Sequence, residues 1–400
     1  MPYYIGDVIQ DEKKLVARTP ERFRETGIEV MTHTRVTGVD TAKGLVELDG
    51  RPALNYDYLV FATGASAFVP DIPGLDLPDV FSLRNLEDAI AIKARIKEIN
   101  ARRVVVVGAG FIGLEMSEAL TEAGIAVTLI HKDPLPANRW DPSLSSMMRE
   151  ELERHGVNFV ASTSVSAIEK GTGAPLCAKT SRGDFEADLV LMAIGVRPNV
   201  ALAKSIGLKI GETGAISVNF AQRTSIENIY AVGDCCESFH RVSRRWVNIP
   251  LGDIANKQGR VAGRNIGGRP RHFDGVVGAQ SFRLFGLECA ATGLTEREAA
   301  AAGFSPASNI TWGNTMAPAL GARKIGLKLV CDRATGRLLG AQAVGAAGTV
   351  GRIDVLSVAL WNGMDLDQVG YLDLAYAPPF SAAWDRSEEH TSELQSPSVI

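Results

Sequence analysis

The chain has 400 residues, more than one ordinary domain needs, so two or three domains are expected. Apolar residues make up 46% and charged residues 22%, a globular composition, and a net charge of -4 gives no ground for a nucleic-acid or membrane partner. Apolar runs are far shorter than a bilayer span, no charged start leads into an apolar leader, and five cysteines without a repeating spacing make a reduced, cytoplasmic protein the expectation.

In chain order, residues 1–27 predict a loop and then a helix starting at Thr19-Pro20. Residues 28–54 alternate like short strands, and "YDYLVFATGA" predicts a strand over 58–62 that ends at Thr63-Gly64. The proline- and glycine-rich "VPDIPGLDLP" reads as a crossing between domains. Next come a buried strand (104–107), a helix (111–123), a strand (126–130), a helix (142–155) and a strand (157–160). A hairpin-like stretch over 162–186 precedes the strand in "ADLVLMAIG", which makes a βαβαβ unit with a meander inserted before its last strand. "IENIYAVGD" is a further strand, followed by a helix over 252–266. From His272 the pattern changes to "GAQSFRLFGLECAATG", a capping box at Thr295 to Glu298, a hairpin turning at 333–336 and a helix over 350–361, which predicts a separate α+β domain.

Gly108, Gly110 and Gly113 form G-x-G-x-x-G between a strand and a helix, the context in which that pattern binds a dinucleotide pyrophosphate. At the end of the next strand an NAD site usually offers a carboxylate to the ribose. Here His131-Lys132 stands, which suits a 2′-phosphate, unless Asp133 supplies the carboxylate from the next register. Gly195 lies at another carboxyl-terminal strand end. Gly233 and Asp234 end the strand of "IYAVGDCCE", where a carboxylate can accept hydrogen bonds from flavin ribityl hydroxyls. Ala62, Thr63 and Gly64 are the companion turn, and the helix after "IPLGD" offers its positive end to a flavin ring. The six histidines form no cluster with metal-ligand spacing, so no metal is expected.

The order of "YDYLVFATGA", "VVVVGAGFIGLEMSEAL", "LVLMAIGVRPN", "IYAVGDCCE" and "LAYAPPFSAAWD" resembles the pyridine nucleotide-disulfide oxidoreductases, closest to their CoA-disulfide reductase, NADH oxidase and persulfide reductase group. The resemblance spans nearly all of residues 1–385. It implies FAD, NADPH or NADH, a homodimer, and two Rossmann-like dinucleotide-binding domains plus a C-terminal α+β dimerisation domain. The implied layout is an initial segment of the FAD domain over 1–100, an NAD(P) domain over 101–221, the second FAD segment over 222–270 and the dimerisation domain over 271–385. In this group "PYYIG" follows a short segment with a single redox cysteine, itself preceded by the flavin's phosphate loop. Both would lie upstream of Met1, so the expectation is a fragment, truncated at both ends, with an incomplete FAD domain and no turnover of its own.

The resemblance further implies a relay from NAD(P)H through flavin to that cysteine, which exchanges with a small-molecule disulfide or persulfide. It places Glu115 near the nicotinamide and flavin, and Tyr376 near a partner's active site or as an interface anchor. Met316-Ala317-Pro318 stands where relatives carry a Tyr-Tyr-Pro-Gly-Ala stretch, which weakens the CoA assignment. Cys235-Cys236 make a poor redox pair, because a vicinal disulfide is strained, and with Cys177, Cys289 and Cys331 they are expected in the core. An NADH oxidase, a ferredoxin or rubredoxin reductase, and a nucleotide-binding remnant are the rival readings. Residues 386–396 resemble the translation of a sequencing adapter, so 386–400 are expected to be a non-native, disordered tail.

Overall fold

The computed structural model describes residues 1–380; the tail expectation for 386–400 and the end of "LAYAPPFSAAWD" lie outside the described residues. The chain divides into two units. The first comprises Met1–Glu12, Ala67–Gly195 and the chain from Val277 on, and the second Lys13–Ser66 and Val196–Val276.

In the first unit the run Arg103–Val107 has Val104 to Val107 all buried, the pattern of a strand covered on both faces. It is the middle of a five-stranded sheet ordered Val80–Ser82, Leu189–Met192, Arg103–Val107, Ala126–Ile130, Asn158–Val160, with every pairing parallel. The helices Phe111–Glu122 and Pro142–Arg154 make the crossovers. A three-stranded meander of Val165–Lys170, Leu176–Thr180 and Gly183–Ala187 packs Ile168, Leu176 and Ala178 against Val105, Val107 and Val190.

The same unit holds a five-stranded antiparallel sheet ordered Gln280–Leu284, Leu287–Gly293, Leu338–Gly345, Lys324–Asp332, Pro306–Asn314. The helix Thr349–Asn362 packs on two of its strands. Thr295 and Glu298 form the capping box read from the sequence. The hairpin turn at Phe285-Gly286 is gripped by two buried carboxylates from the crossover helices. Glu118 accepts the Phe285 amide (2.9 Å) and the Arg283 guanidinium (2.6 Å), and Glu151 accepts the Gly286 amide (3.0 Å). Each carboxylate is nearly sealed from water, and together their bonds hold the two sheets of this unit in register.

The second unit has a three-stranded antiparallel sheet (Val36–Asp40, Leu45–Leu48, Arg51–Asn55) and a two-stranded parallel pair, Leu59–Phe61 with Ile229–Ala231. Phe61, Ile216, Ile229, Ala231, Cys235 and Cys236 form its core, and the helix Gly252–Ile266 starts and stops as the sequence predicts.

Three local expectations are corrected. Residues 2–5 form a short helix with Pro2 at its first position, rather than loop. Residues 28–34 carry no strand despite alternating: no partner strand is hydrogen-bonded there, and His33 takes a positive φ that breaks extension. The helix Leu86–Glu98, with Asn85 and Asp88 as its capping box, was not anticipated.

Candidate functional site

The strand Arg103–Val107 runs into Gly108, which takes a φ of +102° that L side chains avoid. A Cβ on Gly113 would lie 1.9 Å from the Gly108 carbonyl oxygen, so helix and turn pack without room for a methyl group. At Gly110, by contrast, a Cβ would meet nothing within 4 Å, so this exposed residue faces open space at the helix start. Gly110 is also the N-cap and has no side-chain cap, leaving the first amides of Phe111–Glu122 for an external acceptor. A tight turn, an open face and an uncapped positive helix end together fit a dinucleotide pyrophosphate.

Ala109, between these glycines, is tied at both polar groups. Its amide donates to His131 Nδ1 (3.2 Å), and its carbonyl accepts the Ala137 amide (2.8 Å). The bond to Nδ1 requires an imidazole unprotonated there, with the hydrogen on Nε2, which lies 3.4 Å from Asp133 without a hydrogen bond to it. Burial lowers the His131 pKa, Asp133 opposes that and Lys132 adds to it. His131 is therefore a buried prop of the loop, and Lys132 is the exposed cation of the pair. The Asp133 carboxylate also accepts from Asn138 (3.0 Å).

Glu115 sits half-buried in the second turn of the same helix. Burial raises its pKa, the N-terminal amine opposes the shift and Glu118 reinforces it. Gly195 is exposed just beyond Leu189–Met192, and its carbonyl accepts the Phe68 amide (2.8 Å). Tyr376 is exposed in an irregular stretch; two residues on, Pro378 accepts the Ala317 amide (3.1 Å), which sets "LAYAPPF" beside Met316-Ala317-Pro318.

In the second unit Ala62 and Thr63 are exposed at the end of Leu59–Phe61. Thr63 Oγ1 donates to the Asn199 carbonyl (2.7 Å), and Asn199 returns a bond to the Thr63 carbonyl (2.9 Å). The Gly64 carbonyl accepts the Asn199 amide (2.9 Å). Gly233 and Asp234 open a 3-10 turn after Ile229–Ala231, and the Gly233 amide donates to Gln258 (2.7 Å) on the helix Gly252–Ile266. That helix has no side-chain cap, so its positive end is open. Asp234 and this helix end suit the ribityl and ring portion of a flavin. The described residues of this unit hold no glycine-rich amide cradle for a diphosphate.

All five cysteines are free and buried. Burial drives the Cys236 thiol well above its ordinary pKa, neighbouring Cys235 adds to this, and burial likewise raises Cys177, Cys289 and Cys331. None presents an accessible thiolate. Among the described residues no group of three or more His, Cys, Asp or Glu could hold a metal, and no helix is long and apolar enough to cross a membrane.

Sequence reasoning missed the His131–Ala109 bond. A histidine at a strand end looks like a ligand residue, and only its burial shows that the imidazole faces the loop's own backbone.

Comparison with known proteins places these features in a family. Residues 4–259 match the pyridine nucleotide-disulphide oxidoreductases, and residues 280–387 match that family's dimerisation domain. The chain is 40% identical over 386 residues (96% of this chain, 86% of the relative) to an NAD(P)H sulfur oxidoreductase (CoA-dependent) of Pyrococcus abyssi. It is 36% identical over 391 residues (95% and 86%) to an NADH oxidase of Methanocaldococcus jannaschii. It is 30% identical over 388 residues (95% and 87%) to a coenzyme A disulfide reductase of Staphylococcus aureus. The solved NAD-dependent persulfide reductase from A. fulgidus superposes with a TM-score of 0.94 at 38% identity, covering 98% of this chain and 74% of that one. Matched over residues 4–259 and again over its C-terminal sheet domain, the chain belongs to the pyridine nucleotide-disulphide oxidoreductase family, whose cofactors are FAD and NAD(P)H.

Proposed function

We propose that this chain is the NAD(P)H-binding body of a flavoprotein reductase acting on CoA-linked persulfides or disulfides. The observation that carries the reading is the intact, backbone-tied nucleotide turn at Gly108–Gly113 in a chain matching CoA-dependent sulfur reductases over 96% of its length. Bound NAD(P)H supplies a hydride to the flavin in this family. The turn's amides and the end of Phe111–Glu122 would hold the pyrophosphate, and Glu115 would present a carboxyl on which burial favours the proton. Gly195 borders the same strand ends and leaves room for the nucleotide. Asp234, Gly233 and the Ala62-Thr63-Gly64 turn would meet the ribityl and ring portion of FAD. The five cysteines are all buried, so the roles assigned to this chain's own residues are the binding of NAD(P)H and of FAD. The matched dimerisation domain supports a homodimer, in which Tyr376 lies near or within the interface.

NADPH is the preferred nucleotide in this reading. Lys132 is exposed at the strand end, whereas the competing carboxylate of Asp133 already holds Asn138. Replacing Lys132 with Glu is expected to weaken NADPH binding on the order of tenfold and leave NADH nearly unchanged. Equal losses for both nucleotides would refute the preference.

The NADH oxidase relative supports a second reading, and one experiment separates the two. The purified chain with added FAD is mixed with NADPH or NADH, either anaerobically with CoA disulfide or CoA persulfide or in air without them, and nucleotide absorbance is followed. Oxidation that requires the CoA substrate supports the reductase. Oxidation that requires only oxygen supports the oxidase, and binding without either turnover leaves a nucleotide-binding protein.

A further inference from the structure

The loop after Ala126–Ile130 is held at its far end by the C-terminal sheet. Arg139 donates from Nε and Nη2 to both oxygens of Glu298 (2.8 and 2.9 Å), and from Nη2 to the Gly293 carbonyl (3.0 Å). Its own carbonyl accepts Gln342 Nε2 (3.0 Å), and Gln342 Oε1 accepts the Asp141 amide (2.8 Å). Side chain and backbone of this residue are thus fixed by three segments of the antiparallel sheet domain. Burial alone would raise the Glu298 pKa, but the Arg139 bonds hold it below its ordinary value.

Two residues upstream, Ala137 takes a φ of +50°, costly for a side chain and kept only where the surroundings over-determine it. In that conformation its amide reaches the Ala109 carbonyl at 2.8 Å. A trans peptide is planar, with C=O and N–H pointing in opposite directions. Holding the Ala109 carbonyl from one side therefore aims the Gly110 amide to the other side of that peptide, at a residue where a Cβ would meet nothing within 4 Å.

We infer that Arg139 is a positioning residue for pyridine nucleotide binding: anchored on Glu298 and Gly293, it sets Ala137 and thereby the direction of the Gly110 amide. The inference rests on the nucleotide-site reading above. Its consequence is that the dimerisation domain tunes nucleotide affinity through a side chain that touches no nucleotide.

The test uses the full chain and reads dissociation constants for NADPH and NADH by calorimetry, with hydrogen exchange of residues 108–113. Arg139→Ala and Glu298→Ala should each weaken both nucleotides at least about fivefold, and the double variant should lose little more than either single one. Exchange in the loop should quicken. Any turnover should show a raised KM with kcat nearly kept. Arg139→Lys, which keeps the charge but loses the fork, should fall between, and it carries the test if the alanine variants do not fold. Arg283→Ala loosens the same domain at the hairpin without touching this loop and should leave both constants within about twofold. Unchanged affinity and exchange in Arg139→Ala would overturn the inference, as would an equal loss in Arg283→Ala. If the parent chain binds neither nucleotide, the site reading falls and takes this inference with it.

Discussion

The strand Arg103–Val107 and the strand Leu59–Phe61 both run into a glycine-bearing turn at their carboxyl ends, with very different surroundings. The first lies between two parallel neighbours, is buried along Val104 to Val107, and hands its chain to a turn whose Ala109 is tied at amide and carbonyl. The second pairs with one strand, Ile229–Ala231; Val60 is 38% exposed, and the preceding Tyr58 51%. Its turn is tied by the exposed Thr63 and the half-buried Asn199. A phosphate loop depends less on its glycines than on what fixes the backbone behind them. Those glycines permit the turn, and burial with paired polar groups makes it a single conformation.

The sharpest break of that comparison is Gly113→Ala. Its methyl would sit 1.9 Å from the Gly108 carbonyl oxygen, and the strand behind cannot retreat. A loss of about 3 kcal/mol or more is expected, with the melting temperature falling by roughly 5 °C or more. Gly110→Ala should melt like the parent yet bind nucleotide on the order of tenfold more weakly, because only the ligand would meet the new methyl. Equal melting for both variants would show that the turn is not rigid.

A matched pair of truncations tests the strands themselves. Val105→Ala, in the middle of the five-stranded sheet and 1% exposed, should cost about 2–3 kcal/mol in denaturant unfolding. Val60→Ala should cost under about 1 kcal/mol. Similar costs would mean that Val60 is covered in solution.

The smallest effect is a pH dependence at His131. Its folded pKa lies below the ordinary value of about 6.5. As pH falls through that value the unfolded chain takes up a proton that the folded loop refuses, so stability drops below about pH 6.5 and is fully kept above it. Asp133 moderates the drop and Lys132 deepens it. His131→Asn, whose side-chain oxygen can still accept the Ala109 amide, should flatten this region of the curve. An unchanged pH profile in that variant would show that another group is responsible.

Much of this was legible in the sequence, because it rested on local rules. The βαβαβ order, the fingerprint turn, the Thr295 capping box and the helix Gly252–Ile266 follow from periodicity and end signals. The helix Leu86–Glu98 escaped because its box is built from Asn85 and Asp88, not from the usual hydroxyl and longer acid. Residues 28–34 misled because alternation marks a strand only when a partner strand is available. The props of the loop were out of reach for a different reason. His131, Ala137 and Arg139 act through residues 22 to 159 positions away, or through a backbone angle that no pattern encodes.

The five thiols have a use beyond chemistry. They are distributed over both units, Cys235 and Cys236 in one and Cys177, Cys289 and Cys331 in the other, and every one is shielded from solvent. A thiol reagent can modify such a side chain only when its surroundings open, so the labelling rate at each position reports the opening of that region of the chain. Five intrinsic reporters thus allow the opening of the two units to be timed separately by mass spectrometry, without introducing a probe or changing a residue.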